Sequence, residues 1–464
     1  MTLKKYIGDK KFYKMVLLLA IPIMIQNGIT NFVNMLDNVM VGQLGTEAMS
    51  AVSIVNNLMF VFNLTVFGAI SSAGIFTAQY HGLGDRNGIR NTFRFKLIII
   101  AVTGVIGIVA FIAGGDMLIN MFLHDSESAG DLALTLDYAK TYLAIMLIGL
   151  FPYAISQAYA STLRETEQTV VPMVASIAAV ATNFVFNYIF IFGNFGAPAL
   201  GIRGAAIATV ISRFIELAIL VIWTHHNTDR CEFIIGAFRS FRIPAELIRK
   251  IVAKGLPLMF NEIFWSTAVT FVTQAYSMRG LDVVAALNIS NTLNNLFNIV
   301  YIALGSSIAI VVGNLLGAGK LEEAKDTDRK MITFSVLCSL GMAIVLAIVA
   351  PFIPLLYKTT DAVRELATYM MWVIAAIMPF CAFCHASYFT LRSGGKVFVT
   401  FLFDSVYMWL VVAPIAFCLS RFTSASIFLI YPICHGLEIP KVFFGALLLK
   451  KTHWVRQLVS KSEL

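Results

Sequence analysis

Three carboxylates, Asp37, Glu262 and Asp404, stand inside long apolar runs, where an ionised acid without a partner is costly. Such a group takes up a proton, binds a cation or pairs with Lys or Arg; no basic residue lies near any of the three in sequence, although Arg213 and Lys441 could approach in the fold. Proton or cation binding is the chemistry they point to, with Glu216 a fourth, deeper candidate. Asp37 also fits a solvated acid at a helix end, and Glu262 a structural hydrogen bond to a neighbouring helix. Amides accompany the acids. Asn27, Asn31, Asn34 and Asn38 recur at spacings of four, three and four, which is one helix face, with Gln26 and Asp37 flanking it. Asn288, Asn291, Asn295 and Asn298 repeat the device, Asn183 and Asn187 stand one turn apart, and Glu262 opens a polar face with Ser266, Thr270 and Thr273. Interhelical hydrogen bonding accounts for a single Asn in a membrane, whereas four on one face fit the wall of a wet cavity. Tyr407 lies beside Asp404, and His385 is an intramembrane imidazole able to relay a proton.

The elements that must position these residues are membrane-spanning helices. Of 464 residues, 58% are hydrophobic and 13% charged, against about 45–50% and about 25% in a soluble domain. That composition excludes disorder and most soluble folds. The net charge of +8 is spread through short gaps between apolar runs, so no basic patch for nucleic acid is expected. Twelve runs are long enough to cross a bilayer, starting near residues 16, 50, 95, 136, 169, 204, 251, 283, 331, 363, 397 and 425. With the N-terminus inside, 26 of the 34 Lys and Arg fall on the cytoplasmic side and six outside; Arg213 and Lys441 lie within spans. Both termini are expected in the cytoplasm. The Lys-rich start leads into a retained first span, since no small-residue cleavage site follows it.

The chain also repeats itself at a constant offset of 235 residues: Pro22 with Pro257, Gly45 with Gly280, Asn56 with Asn291, Asn63 with Asn298, Gly82 with Gly317 and Gly84 with Gly319. A weaker echo pairs Arg164 with Arg392. Each repeat holds six spans, so the expected fold is an all-α membrane protein of twelve transmembrane helices in two pseudo-symmetric six-helix bundles. The expected boundaries are an N-terminal lobe over 1–224, a cytoplasmic linker over 225–244 and a C-terminal lobe over 245–464. Two such bundles suit a rocking carrier with its substrate near the midplane.

Other motifs carry less. The six cysteines fall mostly inside apolar runs and suggest no disulfide framework. Cys381-Ala382-Phe383-Cys384-His385 matches a haem-attachment pattern, but it lies in an apolar run that fits a helix. Gly317-Ala318-Gly319-Lys320 has Asn at 314 and no Ser or Thr after the lysine, so no nucleotide site is expected.

Three segments resemble the multidrug and toxic compound extrusion (MATE) family: Leu36-Asp37-Asn38-Val39-Met40-Val41-Gly42-Gln43-Leu44-Gly45, the stretch from Asn183 and Asn187 through Gly193, Pro198 and Gly201 to Thr209, and Leu391-Arg392-Ser393-Gly394-Gly395 followed by Trp409 and Pro414. The resemblance covers nearly the whole chain. It implies two six-helix lobes, an outward-facing cleft, and antiport of organic cations against protons or sodium ions. Asp37 then matches the acid of the first helix that takes part in proton binding, and Asn183 a polar residue of the same pocket. Asn187 stands where a second acid is often found. In the branch with a C-lobe cation site, Glu262 falls one turn before the expected acid, Trp265 takes that acid's place and Cys381 occupies the position of the other. Asp404 with Glu262 would make a displaced C-lobe site.

The expected function is therefore secondary active multidrug or organic-cation export by alternating access, with H+ or Na+ as coupling ion, no enzymatic activity, no resident cofactor and no metal. The cation-coupling candidates are Asp37, Glu262 and Asp404; the cavity-lining candidates are Gln26, Asn27, Asn34, Asn183, Asn187, Ser266, Asn291, Asn295, His385 and Tyr407. The expected partners are organic cations or drugs and the lipid bilayer, with the chain a monomer in the cell (inner) membrane. A flippase for lipids or lipid-linked oligosaccharides is the alternative, although its cleft would be expected to carry Arg or Lys for phosphates.

Overall fold

A computed structural model describes residues 5–120, 132–357 and 359–460, apart from the side chains of Asn34, Met35, Asn38, Val39 and Thr46. Among these residues the chain is helical with no β-strand. The reason is physical: hydrocarbon offers no hydrogen-bond partners, so each span must satisfy its backbone internally. The first six spans are α1 (Lys10–Gly42), α2 (Thr46–Leu83), α3 (Arg86–Asn120), the pair α4 (Leu132–Ile148) and α5 (Leu150–Glu165), α6 (Val170–Phe192) and α7 (Ile202–His226). The second six are α8 (Ala245–Ser277), α9 (Leu281–Gly317), α10 (Leu321–Val349), α11 (Asp361–Ser393), the run from α12 (Val397–Phe401) to α13 (Ala413–Phe422), and the pair α14 (Ile427–Gly436) and α15 (Glu438–Lys451). Ten of these are apolar enough by themselves to cross a membrane, and α4 with α5 passes as one span bent by 47°. The twelfth, α8, is 33 residues long and carries the charges Glu246, Arg249, Lys250, Lys254 and Glu262. Twelve helices in two sequence repeats is the expected fold.

Half of the spans, α1, α2, α3, α4, α8 and α10, begin four or more residues earlier than the apolar runs indicate, because polar first turns continue the same helix. In α10, Lys325 pairs with Glu322 and Lys330 with Asp326, each at 2.6 Å, which supports the opening turns. Between α12 and α13 the chain winds as π-helix over Leu402–Val406 and Met408–Val412. This wider winding, frequent at functional sites, covers Asp404.

The chain forms two compact units. One comprises Ile25–Thr77 and Arg86–Gly255; the other comprises Met1–Met24, Ala78–Asp85 and Leu256–Leu464. Helix α1 passes from one to the other just after Pro22, and α8 does so just before Pro257; proline removes a backbone donor and kinks a helix. In the first unit the core gathers Val41, Val55, Ile100, Leu150 and Ala206. In the second, Val16, Leu19 and Ala20 of α1 pack with Leu304, Ile308 and Val312 of α9 and Trp454, while Met370, Met371, Ile430 and Tyr431 centre a further cluster.

Within the second unit the ends of α2 and α9 cross reciprocally. A side chain at Gly82 would collide with the backbone of Asn314, and one at Gly317 with the backbone of Gln79. Gln79 and Asn314 stand at the same 235-residue offset as the two glycines. The repeat is thus a contact as well as a pattern. The C-terminal tail closes over this crossing: Leu458 N donates to Gln79 Oε1 at 2.7 Å, and Gln457 Nε2 to Gly317 O at 2.6 Å.

Several basic residues expected in cytoplasmic gaps are drawn into helix contacts. Lys96 is fully buried and pairs with Glu165 while donating to Ser161 Oγ at 2.9 Å and Thr162 Oγ1 at 3.1 Å. Arg94 donates to the carbonyls of Ala237 and Gly236, both at 2.7 Å, and so holds the stretch between α7 and α8 against α3.

Candidate functional site

In the first unit, α1, α6 and α7 bring Asp37, Asn183, Asn187 and Thr209 together. The three-to-four-residue helical spacing puts Asn183 and Asn187 on one face of α6, where both are buried. Asn187 Nδ2 donates to Asp37 Oδ1 at 2.7 Å. With the Asn183 amide turned so that its nitrogen faces the acid, it reaches Asp37 Oδ1 at 2.8 Å and Oδ2 at 3.0 Å, and its oxygen accepts from Thr209 Oγ1 at 3.2 Å. That orientation satisfies both ends of the amide, whereas the reverse sets oxygen against a carboxylate. Tyr142 hydrogen-bonds the same threonine. Among the described residues no Lys or Arg makes an ion pair with Asp37, so neutral amides alone hold this acid.

A second group lies nearer Pro22. Gln26 Nε2 donates to Ser176 Oγ at 2.8 Å, Ser176 Oγ donates to Glu216 Oε1 at 2.8 Å, and Arg164 Nη1 donates to Gln26 Oε1 at 3.3 Å. Arg164 and Arg213 both feel the charge of Glu216, and Arg213 lies 5.2 Å over the Tyr153 ring. Asn27 is half-buried on α1, about 15 Å along the helix from Asp37. The side chain of Asn34 lies outside the described residues.

In the second unit, α8, α11, α15 and the π-helical segment converge on Asp404. Lys441 Nζ sits 3.0 Å from Asp404 Oδ1 and 3.7 Å from Glu438 Oε1. Asn261 Nδ2 lies 3.4 Å from both Asp404 Oδ2 and the Tyr388 hydroxyl, and Ser405 Oγ donates to Asn261 O and Oδ1, each at 2.8 Å. Glu262 stands in the electrostatic neighbourhood of Tyr388, Asn261 and Asp404 and feels the opposite charge of Arg392. The echo between Arg164 and Arg392 now has a physical content. Arg164 reaches Gln26, and the charge of Arg392 acts on Glu262, next in sequence to Asn261; 26 and 261 stand at the repeat offset, four residues past their prolines.

The remaining candidates are dispersed. Tyr407 OH donates to Leu437 O at 2.7 Å. His385 packs on Tyr301, with ring centres 5.1 Å apart, and its buried Nδ1 has no hydrogen-bond partner among the described residues. Ser266 Oγ bonds back to Ile263 O at 3.0 Å on its own helix. On α9, Asn291 is half-buried and Asn295 exposed. Cys381 and Cys384 lie in the interior of α11. Among the described residues no group of three or more His, Cys, Asp and Glu side chains could hold a metal ion.

Sequence reasoning missed Asn261, Tyr388, Arg392 and Glu438 as members of the Asp404 group. The signals for them in the sequence are the adjacency of Asn261 to Glu262 and the repeat pairing of Arg392 with Arg164. It also missed Asp328, buried in α10, whose Oδ1 accepts from Thr390 Oγ1 at 2.5 Å. That acid sits among Lys and Asp residues that read as a solvated loop.

Comparison with known proteins agrees with this architecture. The MatE family model matches residues 22–189 and 257–418, and the two matches begin on the repeat-paired prolines. The chain is 25% identical over 406 residues to the probable multidrug resistance protein NorM of Thermotoga maritima, covering 87% of this chain and 85% of that protein. It is 26% identical over 362 residues to the multidrug resistance protein MdtK of Edwardsiella ictaluri, covering 77% of each. Among solved structures, an outward-facing multidrug resistance MATE family transporter of the MOP superfamily superposes with TM-score 0.83 at 20% identity, over 97% of this chain and 99% of that one. A MOP superfamily transporter from Pyrococcus furiosus also gives 0.83, at 19% identity, over 97% and 100%. With both repeats matched, twelve helices and embedded polar groups in each unit, the chain belongs to the MatE family of membrane transporters.

Proposed function

We propose that this protein exports organic cations or other drugs by secondary antiport, using H+ or Na+ as the coupling ion and alternating access as the mechanism. The observation that carries the reading is Asp37: an embedded carboxylate held by amides and, among the described residues, without a paired base. Such an acid exchanges its proton or cation more readily than one locked in an ion pair. Glu262 and Asp404 remain in the proposal as the carboxylates of the second unit, each with a fixed positive neighbour, Arg392 and Lys441 respectively. The drug substrates follow from the multidrug resistance names of NorM and MdtK.

The physical logic is competition. A carboxylate that holds the coupling ion is neutralised and releases a cationic substrate; once it releases that ion it attracts the substrate. Expelling one positive charge against an inside-negative 150 mV costs about 3.5 kcal/mol, and one inward proton returns the same amount. The protein is proposed to be a monomer in the inner membrane, with both termini cytoplasmic and without a resident cofactor. Ethidium transport into or out of proteoliposomes, driven separately by imposed pH and sodium gradients, tests this. Asp37→Asn is expected to abolish gradient-driven ethidium movement. Wild-type rates in Asp37→Asn, Glu262→Gln and Asp404→Asn together would sink the mechanism.

A further inference from the structure

The surroundings of Lys441 are those of a bound ammonium ion. Its Nζ lies 3.0 Å from Asp404 Oδ1 and 3.7 Å from Glu438 Oε1, and it faces the rings of Phe403 at 5.3 Å and Tyr407 at 6.0 Å from their centres. Two carboxylates with two aromatic faces form the cage that recognises alkylammonium groups, because the ring faces stabilise a soft, poorly hydrated cation. The cage is rigid: the Tyr407 hydroxyl is tied to Leu437 O at 2.7 Å, Asp404 Oδ2 lies 3.4 Å from Asn261 Nδ2, and Phe403 is buried. It is also more negative than its occupant is positive, with two acids against one lysine. Lys441 is 5% exposed, so nothing in its surroundings resembles the solvated end of an ordinary surface lysine.

We propose that Phe403, Asp404, Tyr407 and Glu438 form an alkylammonium-binding cage whose resident occupant is the Lys441 side chain, and that a cationic substrate gains this subsite by displacing it. The second clause rests on the export function proposed above; the first does not. A tethered occupant has a high effective concentration, so the cage is closed to weak free cations, Na+ among them, and opens to ligands that carry further contacts elsewhere. Lys441 is in this reading a specificity residue. It sets which cations the second unit accepts.

The test is chemical rescue of the purified full chain in detergent, without any gradient. Lys441→Ala deletes the equivalent of n-propylammonium, so n-propylammonium chloride is the probe, with sodium chloride and tetramethylammonium chloride at equal ionic strength as references. The expected result is a saturable rise in the Tm of Lys441→Ala of about 2 °C or more with propylammonium. Wild type should need at least tenfold more probe for the same shift. The double variant Lys441→Ala/Asp404→Asn, which leaves no orphaned Asp404 charge, should fold and ignore the probe. A folded Lys441→Ala that is indifferent to propylammonium, or that responds equally to every salt, overturns the proposal. So does a variant that misfolds equally with and without the probe. Because no transport is measured, failure of export leaves the cage standing, and failure of the cage leaves the export reading intact.

Discussion

Asn187 Nδ2 donates to Asp37 Oδ1 across 2.7 Å, joining α6 to α1 between residues 150 positions apart. A hydrogen bond to a charged group contributes about 1.5–3 kcal/mol. Asn187→Leu is therefore expected to lower the Tm of the wild type clearly, and to lower it less in the Asp37→Asn background, where the acceptor is neutral. Thermal unfolding of both single variants and the double variant measures the difference. Strict additivity would show that the pair carries no coupling.

The reciprocal crossing of α2 and α9 makes a second, symmetric prediction. A Cβ at Gly82 would meet the Asn314 backbone and a Cβ at Gly317 the Gln79 backbone, and backbone cannot step aside as a side chain can. Gly82→Ala and Gly317→Ala should each cost about 1–3 kcal/mol or more. Gly341, in the interior of α10, has open space where its Cβ would stand, so Gly341→Ala should be neutral or stabilising. Expression and thermal stability of the three variants decide the matter; equal behaviour would refute close packing at the crossing.

Lys96 and Glu165 form a buried pair between α3 and α5, supported by Ser161 and Thr162. Removing one partner of such a pair leaves an uncompensated charge and costs about 3–5 kcal/mol. Glu165→Gln and Lys96→Met are each expected to be severely destabilised, and Lys96→Met/Glu165→Gln to recover much of the loss. The readout is the yield of monodisperse protein and its Tm. A double variant no better than the worse single one would contradict the pairing.

Cys231, in the stretch between α7 and α8, is buried, and burial pushes its thiol up to about 11. At pH 8 about one molecule in a thousand then carries the reactive thiolate, and labelling should rise tenfold per pH unit toward 11. Arg94→Ala removes the two carbonyl contacts that hold this stretch down. It is expected to expose the thiol, return it toward the ordinary range and speed maleimide labelling by up to about a hundredfold at pH 8. Rapid labelling of Cys231 in the wild type would show that the stretch is not anchored.

Much of the architecture is a local property of the chain. An apolar run of about 20 residues has few options besides a spanning helix, and the 235-residue repeat is visible in Pro22 with Pro257 and Gly82 with Gly317. Helical spacing places Asn183 and Asn187 on one face wherever that face points, but only the family resemblance set Asn183 in a pocket with Asp37. Helix ends were less legible. A hydropathy window stops at the first charges, whereas the backbone ladder continues as long as neighbours bury it; Lys96 and Arg94 therefore read as loop residues and are found inside contacts.

What the sequence by itself determined is the solvent, the number of spans, the internal repeat and the short inventory of embedded acids. Only the tertiary structure decided which of those acids has a base. Asp404 and Lys441 are 37 residues apart and Lys96 and Glu165 are 69 apart, yet each pair meets directly, while among the described residues Asp37 meets the amides of Asn183 and Asn187. Charge pairing falls off within a few ångströms in distance but is blind to separation along the chain, so the partner of a buried charge is set by helix packing and cannot be read from its neighbours in sequence.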